Sequence, residues 1–294
     1  MILHCTASRS CLLRSILRQE LALSSGLVKR LKYEGAFQVN GAVVRTNHPI
    51  VPGDVVTVTL QDAAPDYPAE DGPICILYED EAILAVDKPS GLIIHPSAAR
   101  NTGTLANRVL GYYQKTGQHC AFHPLTRLDR DTFGVVLLAK NAHIHARLSQ
   151  ALQQGAVEKT YRAAVLGAPP HPAGVIDAPI VRPDPTKMRR AIGAGGQPAR
   201  TEYAVLDRRG CESLLQLQPR TGRTHQLRLH CLYSGFPILG DPQYYSESSL
   251  AYSQAQSLST QLLCACRLRF SHPLTGAPMQ IESHQVGLLW EDRQ

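Results

Sequence analysis

The stretch that decides the fold spans residues 123–140 and reads HPLTRLDRDTFGVVLLAK. Its second half contains five consecutive apolar residues, 135–139, which predict a buried strand. Just before this strand, a polar turn places Asp129 between Arg127 and Arg130. Nearby cations favour the ionised form of a carboxylate, and an ionised, partly desolvated carboxylate can act as a nucleophile. Taken alone, however, such a turn is more typical of a surface ion pair.

The charge of the chain is unevenly distributed. The 294 residues carry a formal charge of +6, but residues 61–81 contain seven acidic residues and no basic one. Residues 1–60 contain seven basic and three acidic residues, and the part after residue 81 is again basic. Two basic blocks separated by an acidic strip suit a polyanionic partner.

The cysteines and the hydropathy pattern narrow the class of protein. The eight cysteines form no Cys-x-x-Cys pair, and Cys264-x-Cys266 has no second pair to complete a zinc site. Free thiols indicate a reducing compartment, and no apolar stretch reaches the ~18 residues of a membrane span. We therefore expect a cytoplasmic protein with no metal and no membrane partner. The first 19 residues resemble a transit peptide weakly and fit a domain helix better.

Residues 1–60 predict a small α+β module. Leu12–Leu21 have helical spacing, and Ser24 or Ser25 can cap a second helix. Asn40-Gly41 between two apolar triplets predicts a hairpin. The second helix presents Lys29, Arg30 and Lys32, which could bind RNA, although most charge runs are ordinary solvated helix faces.

Residues 61–73 are rich in proline and lack apolar periodicity, so they predict a linker. Residues 74–294 form the second predicted domain, in which short β-type runs outnumber two helical patterns, at 104–113 and 143–153. This balance predicts an α+β fold with a large mixed, mainly antiparallel sheet, flanking helices and a central cleft. The predicted strands include 92–94 and 226–230.

Three further segments carry chemistry. The turn at 87–96 contains Lys88 and His95, which could contact phosphate or support a neighbouring loop. Tyr161 lies in phase with apolar residues of its strand, so its ring could stack on a base or simply pack in the core. Arg223, beside Gly222, is a natural bidentate partner for a buried carboxylate.

In this order, these segments resemble the RluA-type pseudouridine synthases over roughly residues 74–283. The N-terminal 60 residues resemble, more weakly, the alpha-L RNA-binding module that often precedes that catalytic domain. The matching segments are Tyr78–Glu81, Asp87–Pro96, Arg127–Asp129 with Asp131, Thr132 and Gly134, Lys159–Tyr161, Thr221–Gln226, Gly240–Pro242 with Tyr244, and Ser271–Pro273.

The resemblance implies an isomerase that converts uridine in structured ribosomal or transfer RNA to pseudouridine without a cofactor. It implies that Asp129 is the catalytic aspartate, that Tyr161 stacks on the uracil and helps to remove the C5 proton, and that Arg223 pairs with Asp129. Leu227 would line the pocket, and Arg127 would fill the gap left by the everted nucleotide. We also assign Lys88, His95 and Thr132 to substrate binding, and expect a monomer. The basic loop residues expected on the RNA surface, besides the second helix, are Arg182, Lys187, Arg189 and Arg190.

Three positions depart from the family pattern. Thr126 stands where the family usually has His, Phe133 where it has a small Ser or Thr, and Cys264 where it commonly has His. Thr126 and Phe133 would favour the alternative of a non-catalytic RNA-binding or assembly protein that retains the synthase fold. The sequence also leaves three chemical routes open: attack at ribose C1′, addition to C6 of the base, and removal of the C2′ proton to give a glycal.

Overall fold

The computed structural model describes residues 1–60, 67–97 and 100–291. The helices in these ranges are α1 (Leu13–Gln19), α2 (Ser25–Leu31), α3 (Leu105–Lys115), α4 (Ala142–Gln153), α5 (Gln226–Tyr233) and α6 (Glu247–Ala255). The strands are β1 (Ile2–Thr6), β2 (Cys11–Leu12), β3 (Phe37–Val39), β4 (Ala42–Val43), β5 (Pro49–Ile50), β6 (Val55–Thr59), β7 (Cys75–Glu79), β8 (Ile83–Lys88), β9 (His123–Pro124), β10 (Phe133–Ala139), β11 (Glu158–Leu166), β12 (Ala173–Asp177), β13 (Ile180–Val181), β14 (Ala191–Ile192), β15 (Arg200–Arg209), β16 (Glu212–Pro219), β17 (Leu263–Ser271) and β18 (Pro278–Glu282). None of these helices is both long and apolar enough to span a bilayer.

The N-terminal residues build a small sheet in the order β1-β6-β3-β4, with its own apolar core. Both predicted helices and the hairpin are confirmed. The Ser24 hydroxyl accepts a hydrogen bond from the Leu27 amide at the start of α2. Asn40 and Gly41 have φ values of 50° and 83°, as a tight two-residue hairpin turn requires. Of the first 19 residues, which were expected to form a helix, residues 13–19 do so as α1, whereas residues 2–6 form a strand paired with β6.

The large sheet has the strand order β12-β15-β16-β11-β17-β10-β8-β7, with β18 paired to β17 and β9 to β10. Every pairing is antiparallel except that of β10 with β17. The predicted mixed, mainly antiparallel sheet is thus confirmed.

Strand β10 contains the unbroken apolar run of residues 135–139. Val135 and Leu137 pack into a core beneath α4, whereas Val136 and Leu138 pack into a second core beneath α3. Because successive side chains of a strand point to opposite faces, a strand covered on both sides must be apolar at every position. This strand carries the loop of Asp129 at its amino end.

The predicted linker is partly packed against helix α3 of the second domain. Residues 61–66 lie outside the described residues. From Tyr67 onward the chain runs along α3, where the Asn107 side chain donates to the Pro68 carbonyl oxygen and the Glu70 amide donates to the Asn107 carbonyl. A Cβ at Gly111 would lie 2.0 Å from the Glu70 carbonyl oxygen, so only glycine permits this close approach.

Two predicted strands are wrong. Residues 92–94 form an irregular loop, and residues 226–230 belong to helix α5. The alternation of polar and apolar residues in 226–230 is short, and both kinds of side chain are buried in the helix. The alternation therefore reflects two buried environments around α5 and not the two faces of a strand.

Candidate active site

The Asp129 loop, residues 125–132, is held in place by the core under α3 and by side chains of the turn at residues 88–90. Leu128 is buried in the core under α3. Lys88 Nζ donates to the Arg130 carbonyl oxygen at 2.8 Å, and Ser90 Oγ donates to that of Asp131 at 3.0 Å. The backbone around Asp129 is thereby fixed by side chains of the neighbouring turn.

Lys88 supports the Asp129 loop, one of the two roles that the sequence left open for it, and its role in substrate binding stays a prediction. Its side chain is completely buried, and Nζ also donates to the carbonyl oxygens of Pro89 and Leu92. Desolvation lowers the pKa of Lys88 to about 8, against the opposing attraction of Asp131 and Asp129. Three carbonyl acceptors occupy the three donors of the ammonium group.

The partner of Asp129 is Arg228, not Arg223. Arg228 Nη1 donates to Asp129 Oδ2 at 2.8 Å. The other edge of the same guanidinium binds Asp241, with Nε at 2.6 Å and Nη2 at 2.8 Å. One planar cation thus bridges two carboxylates through charge-assisted hydrogen bonds.

Burial makes this bridge strong and fixed. The side chain of Arg228 is 6% exposed, that of Asp241 is fully buried, and that of Asp129 is 27% exposed. Desolvation opposes the charge of Arg228, but the hydrogen bonds and charges of Asp241 and Asp129 outweigh it and raise the pKa of Arg228. The guanidinium is therefore permanently charged, and Asp129 alone of the three groups reaches solvent appreciably.

Arg223 lies outside this network. Its side chain is exposed, and Nε donates to the Pro198 carbonyl oxygen at 3.1 Å. The physical reason is the start of α5 at Gln226, which turns residue 228 inward and leaves residue 223 in the preceding loop. A strand at 226–230 would have aimed these side chains differently.

The start of α5 is stabilised by contacts within the sequence TGRTHQ, residues 221–226. The Gln226 amide oxygen accepts from the Arg223 amide at 3.0 Å and from Thr221 Oγ1 at 2.8 Å. Its Nε2 donates to the Arg200 carbonyl oxygen and to Thr201 Oγ1. His225 then adopts the left-handed conformation, with φ 57°, which is uncommon for a non-glycine residue and persists where the surroundings impose it.

His225 and Tyr244 are site residues that the sequence analysis did not assign. His225 Nε2 lies 3.8 Å from Asp129 Oδ1, and Nδ1 lies 2.8 Å from the Tyr244 hydroxyl. The hydroxyl also accepts a hydrogen bond from the Arg190 amide at 2.9 Å. Desolvation lowers the pKa of His225, although the charge of Asp129 opposes this shift. Two sequence features could have pointed to these residues: the Gly240–Pro242 segment with Tyr244, and the histidine of the TGRTHQ motif.

Tyr161 projects from β11 at an irregularity in the sheet. The register of β11 against β17 shifts between Thr160 and Arg162, and such a bulge changes the direction of a side chain. The ring packs against the same apolar cluster as Leu227. Desolvation, and then the charge of Asp129, raise the pKa of Tyr161, so its hydroxyl is protonated at neutral pH.

Of the remaining predicted binding residues, one is buried and two are exposed. Thr132 is buried and its hydroxyl accepts from Gln261 Nε2 at 3.2 Å, and its role in substrate binding stays a prediction. Arg127 and His95 are exposed, and desolvation lowers the pKa of His95, with a smaller contribution from the charge of Arg127. Both remain available to a ligand.

Two of the three departures from the family pattern face each other. Phe133 is the register partner of Cys264 across the parallel β10–β17 pair, and both are buried in one cluster. A larger residue thus stands opposite a smaller one inside the core. This packing removes Phe133 as an argument against catalysis, since its ring fills core volume.

One set of possible metal ligands occurs among the described residues. Ligand atoms of Cys75, Asp87 and His284 lie within 4.8 Å of one another. The Asp87 oxygens, however, already accept from Ser283 Oγ, the His284 amide and Gln285 Nε2. These contacts make Asp87 an anchor for the C-terminal segment.

Comparison with known proteins finds RNA pseudouridine synthases similar to this chain in sequence and in fold. The sequence pattern of the family described as RNA pseudouridylate synthase matches residues 82–233. An RNA pseudouridine synthase of Bacillus subtilis, YlyB, is 37% identical over 254 residues, covering 85% of this chain and 82% of that protein. Ribosomal large subunit pseudouridine synthase D of Pseudomonas aeruginosa is 35% identical over 258 residues, covering 85% and 80%. The structure titled human RNA pseudouridylate synthase domain containing 4 superposes with a TM-score of 0.57 at 28% identity, covering 71% of this chain and 87% of that one.

Proposed function

Because the chain belongs to the RNA pseudouridine synthase family, and so isomerises uridine in RNA to pseudouridine, we propose that Asp129 is its nucleophile. The observation that carries this assignment is the bridge from the fully buried Asp241 through Arg228 to the partly exposed Asp129. A carboxylate held by a fixed cation at the edge of solvent is charged, oriented and reachable.

The geometry further favours Oδ1 as the reacting atom. Oδ2 accepts from Arg228, whereas among the described residues Oδ1 accepts no hydrogen bond, and His225 Nε2 lies 3.8 Å from it. In the reaction the N1–C1′ bond breaks and a C5–C1′ bond forms, while C5 loses a proton and N1 gains one. Attack at C1′, addition to C6 and removal of the C2′ proton each need one free carboxylate oxygen.

Tyr161 and Leu227 are proposed to hold the uracil. Replacing Tyr161 by alanine removes the ring on which the base stacks, and stacking on an aromatic side chain is worth ~1–3 kcal/mol. Tyr161→Ala should therefore raise KM by roughly 5- to 150-fold. Tyr161→Phe keeps the ring and should leave KM near that of the wild type, so that any fall in kcat measures the hydroxyl alone. A KM for Tyr161→Ala equal to that of the wild type would show that the ring only packs in the core.

The proposed substrate is structured ribosomal RNA. Relatives of this chain carry the name ribosomal large subunit pseudouridine synthase D. The eight free thiols fit a reducing compartment such as the cytoplasm, and we propose that the protein acts there as a monomer. Incubating purified protein with RNA from cells that lack its gene, then mapping pseudouridine chemically, should restore modification at discrete ribosomal RNA positions. Restoration in transfer RNA instead would overturn this target, and Asp129→Asn protein is the matched control for modification by contaminants.

The N-terminal module is proposed to bind the RNA backbone through Lys29, Arg30 and Lys32, all of which are exposed on or beside α2. Each phosphate contact releases counterions, which gives a salt dependence of affinity with a slope of about −0.7 to −0.9 per contact. Replacing all three residues by glutamine should flatten this slope by about 2 and leave kcat unchanged at saturating RNA. The comparison variant combines Arg208→Gln with Arg269→Gln, which replaces two exposed basic residues on strands β15 and β17. Equal slopes for both variants would identify α2 as an ordinary solvated face.

A further inference from the structure

A cavity of about 520 Å³ shares Tyr244 with the Asp129 site. The Tyr244 ring lies 4.9 Å from Arg228 Cζ, and its hydroxyl contacts both His225 and the Arg190 amide. The cavity is therefore separated from the Arg228–Asp129 ion pair by little more than one aromatic ring. Its volume lies within the range of sites that bind small molecules.

The cavity has an apolar floor and a cationic rim. Ile192 of β14 and Leu229 and Leu232 of α5 form the floor. Tyr233, which is 63% exposed, stands beside them. The rim is formed by the charged residues Asp184, Lys187, Arg189 and Arg190.

The rim carries a net positive charge. Asp184 is its single acidic member, and its carboxylate lies 3.7 Å from Lys187 Nζ. The Arg190 guanidinium donates through Nη1 to the Met188 and Arg189 carbonyl oxygens, which leaves Nε and Nη2 for a ligand. Apolar walls below cations suit a group that combines a flat, uncharged ring with an anion.

Helix α5 sets the distance between this cavity and the catalytic residues. Arg228 faces Asp129, while Leu232, four residues later, lines the cavity. With a rise of 1.5 Å per residue, the two positions are roughly 6 Å apart along the helix axis. A strand of RNA whose uridine is held at Asp129 can reach the cavity with the adjoining nucleotide.

We propose that this cavity binds the base of an unpaired nucleotide that flanks the target uridine, with Tyr233 stacked on the base and Arg189 and Arg190 on its phosphate. The assignment rests on the proposed catalytic site, since that site fixes where the uridine lies. It makes Tyr233 a determinant of the structural context, an unpaired flanking nucleotide, in which uridine is modified. Every base has a face that can stack, so the floor selects for an unpaired base and the rim for the polyanionic backbone.

The test measures binding apart from chemistry. In the Asp129→Asn background, the Kd is measured for a short hairpin carrying a mapped target uridine and for hairpins with an abasic residue at each flanking position. Tyr233→Ala should weaken binding of the intact hairpin about tenfold. For a protein that has Tyr233, an abasic residue at one flanking position should raise Kd by a similar factor. For the Tyr233→Ala protein the same abasic residue should not raise Kd further, because both changes remove the same contact.

Two comparison variants make the result specific. Tyr233→Phe should restore binding, since it keeps the ring, and Tyr245→Ala removes another exposed tyrosine and should bind like its parent. Additive losses from Tyr233→Ala and every abasic position, or no loss at all, would overturn the proposal. Failure of the catalytic assignment would be seen separately, as pseudouridine formation by the Asp129→Asn protein.

Discussion

Asp129→Asn should abolish pseudouridine formation, lowering kcat by roughly 10⁴-fold or more, as removal of a nucleophile does in other enzymes. Asparagine has nearly the same shape, and its amide oxygen can still accept from Arg228 Nη1, the donor to Asp129 Oδ2 in the wild type. The substitution therefore removes the charge and the reacting oxygen while it leaves the guanidinium bound to Asp241. The measurement is single-turnover formation of pseudouridine in an RNA containing a mapped site.

The binding of RNA supplies the control for this variant. Loss of one negative charge beside a polyanion should leave Kd unchanged or slightly lower, because the carboxylate repels phosphate. Unchanged turnover with normal binding would remove Asp129 from the nucleophile role. Loss of both binding and turnover would indicate that the loop had lost its structure, which circular dichroism and thermal unfolding would show directly.

Arg228→Lys should lower kcat by about 10- to 150-fold with a small change in KM. Lysine keeps a positive charge, but its ammonium group cannot span Asp241 in bidentate fashion and reach Asp129 as well. The loss of one hydrogen bond to a charged group is worth ~1.5–3 kcal/mol, which corresponds to that range. Steady-state kinetics on the mapped RNA, with kcat and KM separated, makes the measurement.

Two variants bracket this result. Arg223→Ala is the matched control, because the Arg223 side chain is exposed and donates to the Pro198 carbonyl oxygen, so kcat should stay within a few-fold of the wild-type value. Arg228→Ala should also destabilise the fold by about 3–5 kcal/mol, since it leaves the fully buried Asp241 without its cation. A normal kcat for Arg228→Lys would show that the reaction does not need the bidentate bridge. An equal loss for Arg223→Ala would show that the exposed Arg223 also takes part in the reaction.

Much of the fold was predictable because the relevant signals are local. The Ser24 cap, the Asn40-Gly41 turn and the helices at 104–113 and 143–153 each depend on residues a few positions apart. The structure of residues 226–230 was not predictable in this way, because five residues of alternating character are compatible with a strand or with a helix. Its helical form depends on the Gln226 side chain bonding to Arg200 and Thr201 on β15, a contact between residues distant in sequence.

The sequence by itself determined the chemical type of this protein: an aspartate at the mouth of a buried strand, a basic chain, and ordered motifs that identify a uridine isomerase. Only the tertiary structure decided which groups act on that aspartate. It gave Asp129 the partner Arg228 in place of Arg223, and it showed the protein groups that Lys88 and Thr132 contact. It also placed His225, Asp241 and Tyr244 around Asp129 and Arg228. The physical reason is that a motif fixes which residue types are present, whereas the partner of a buried charge depends on the exact start and rotation of the helix that carries it.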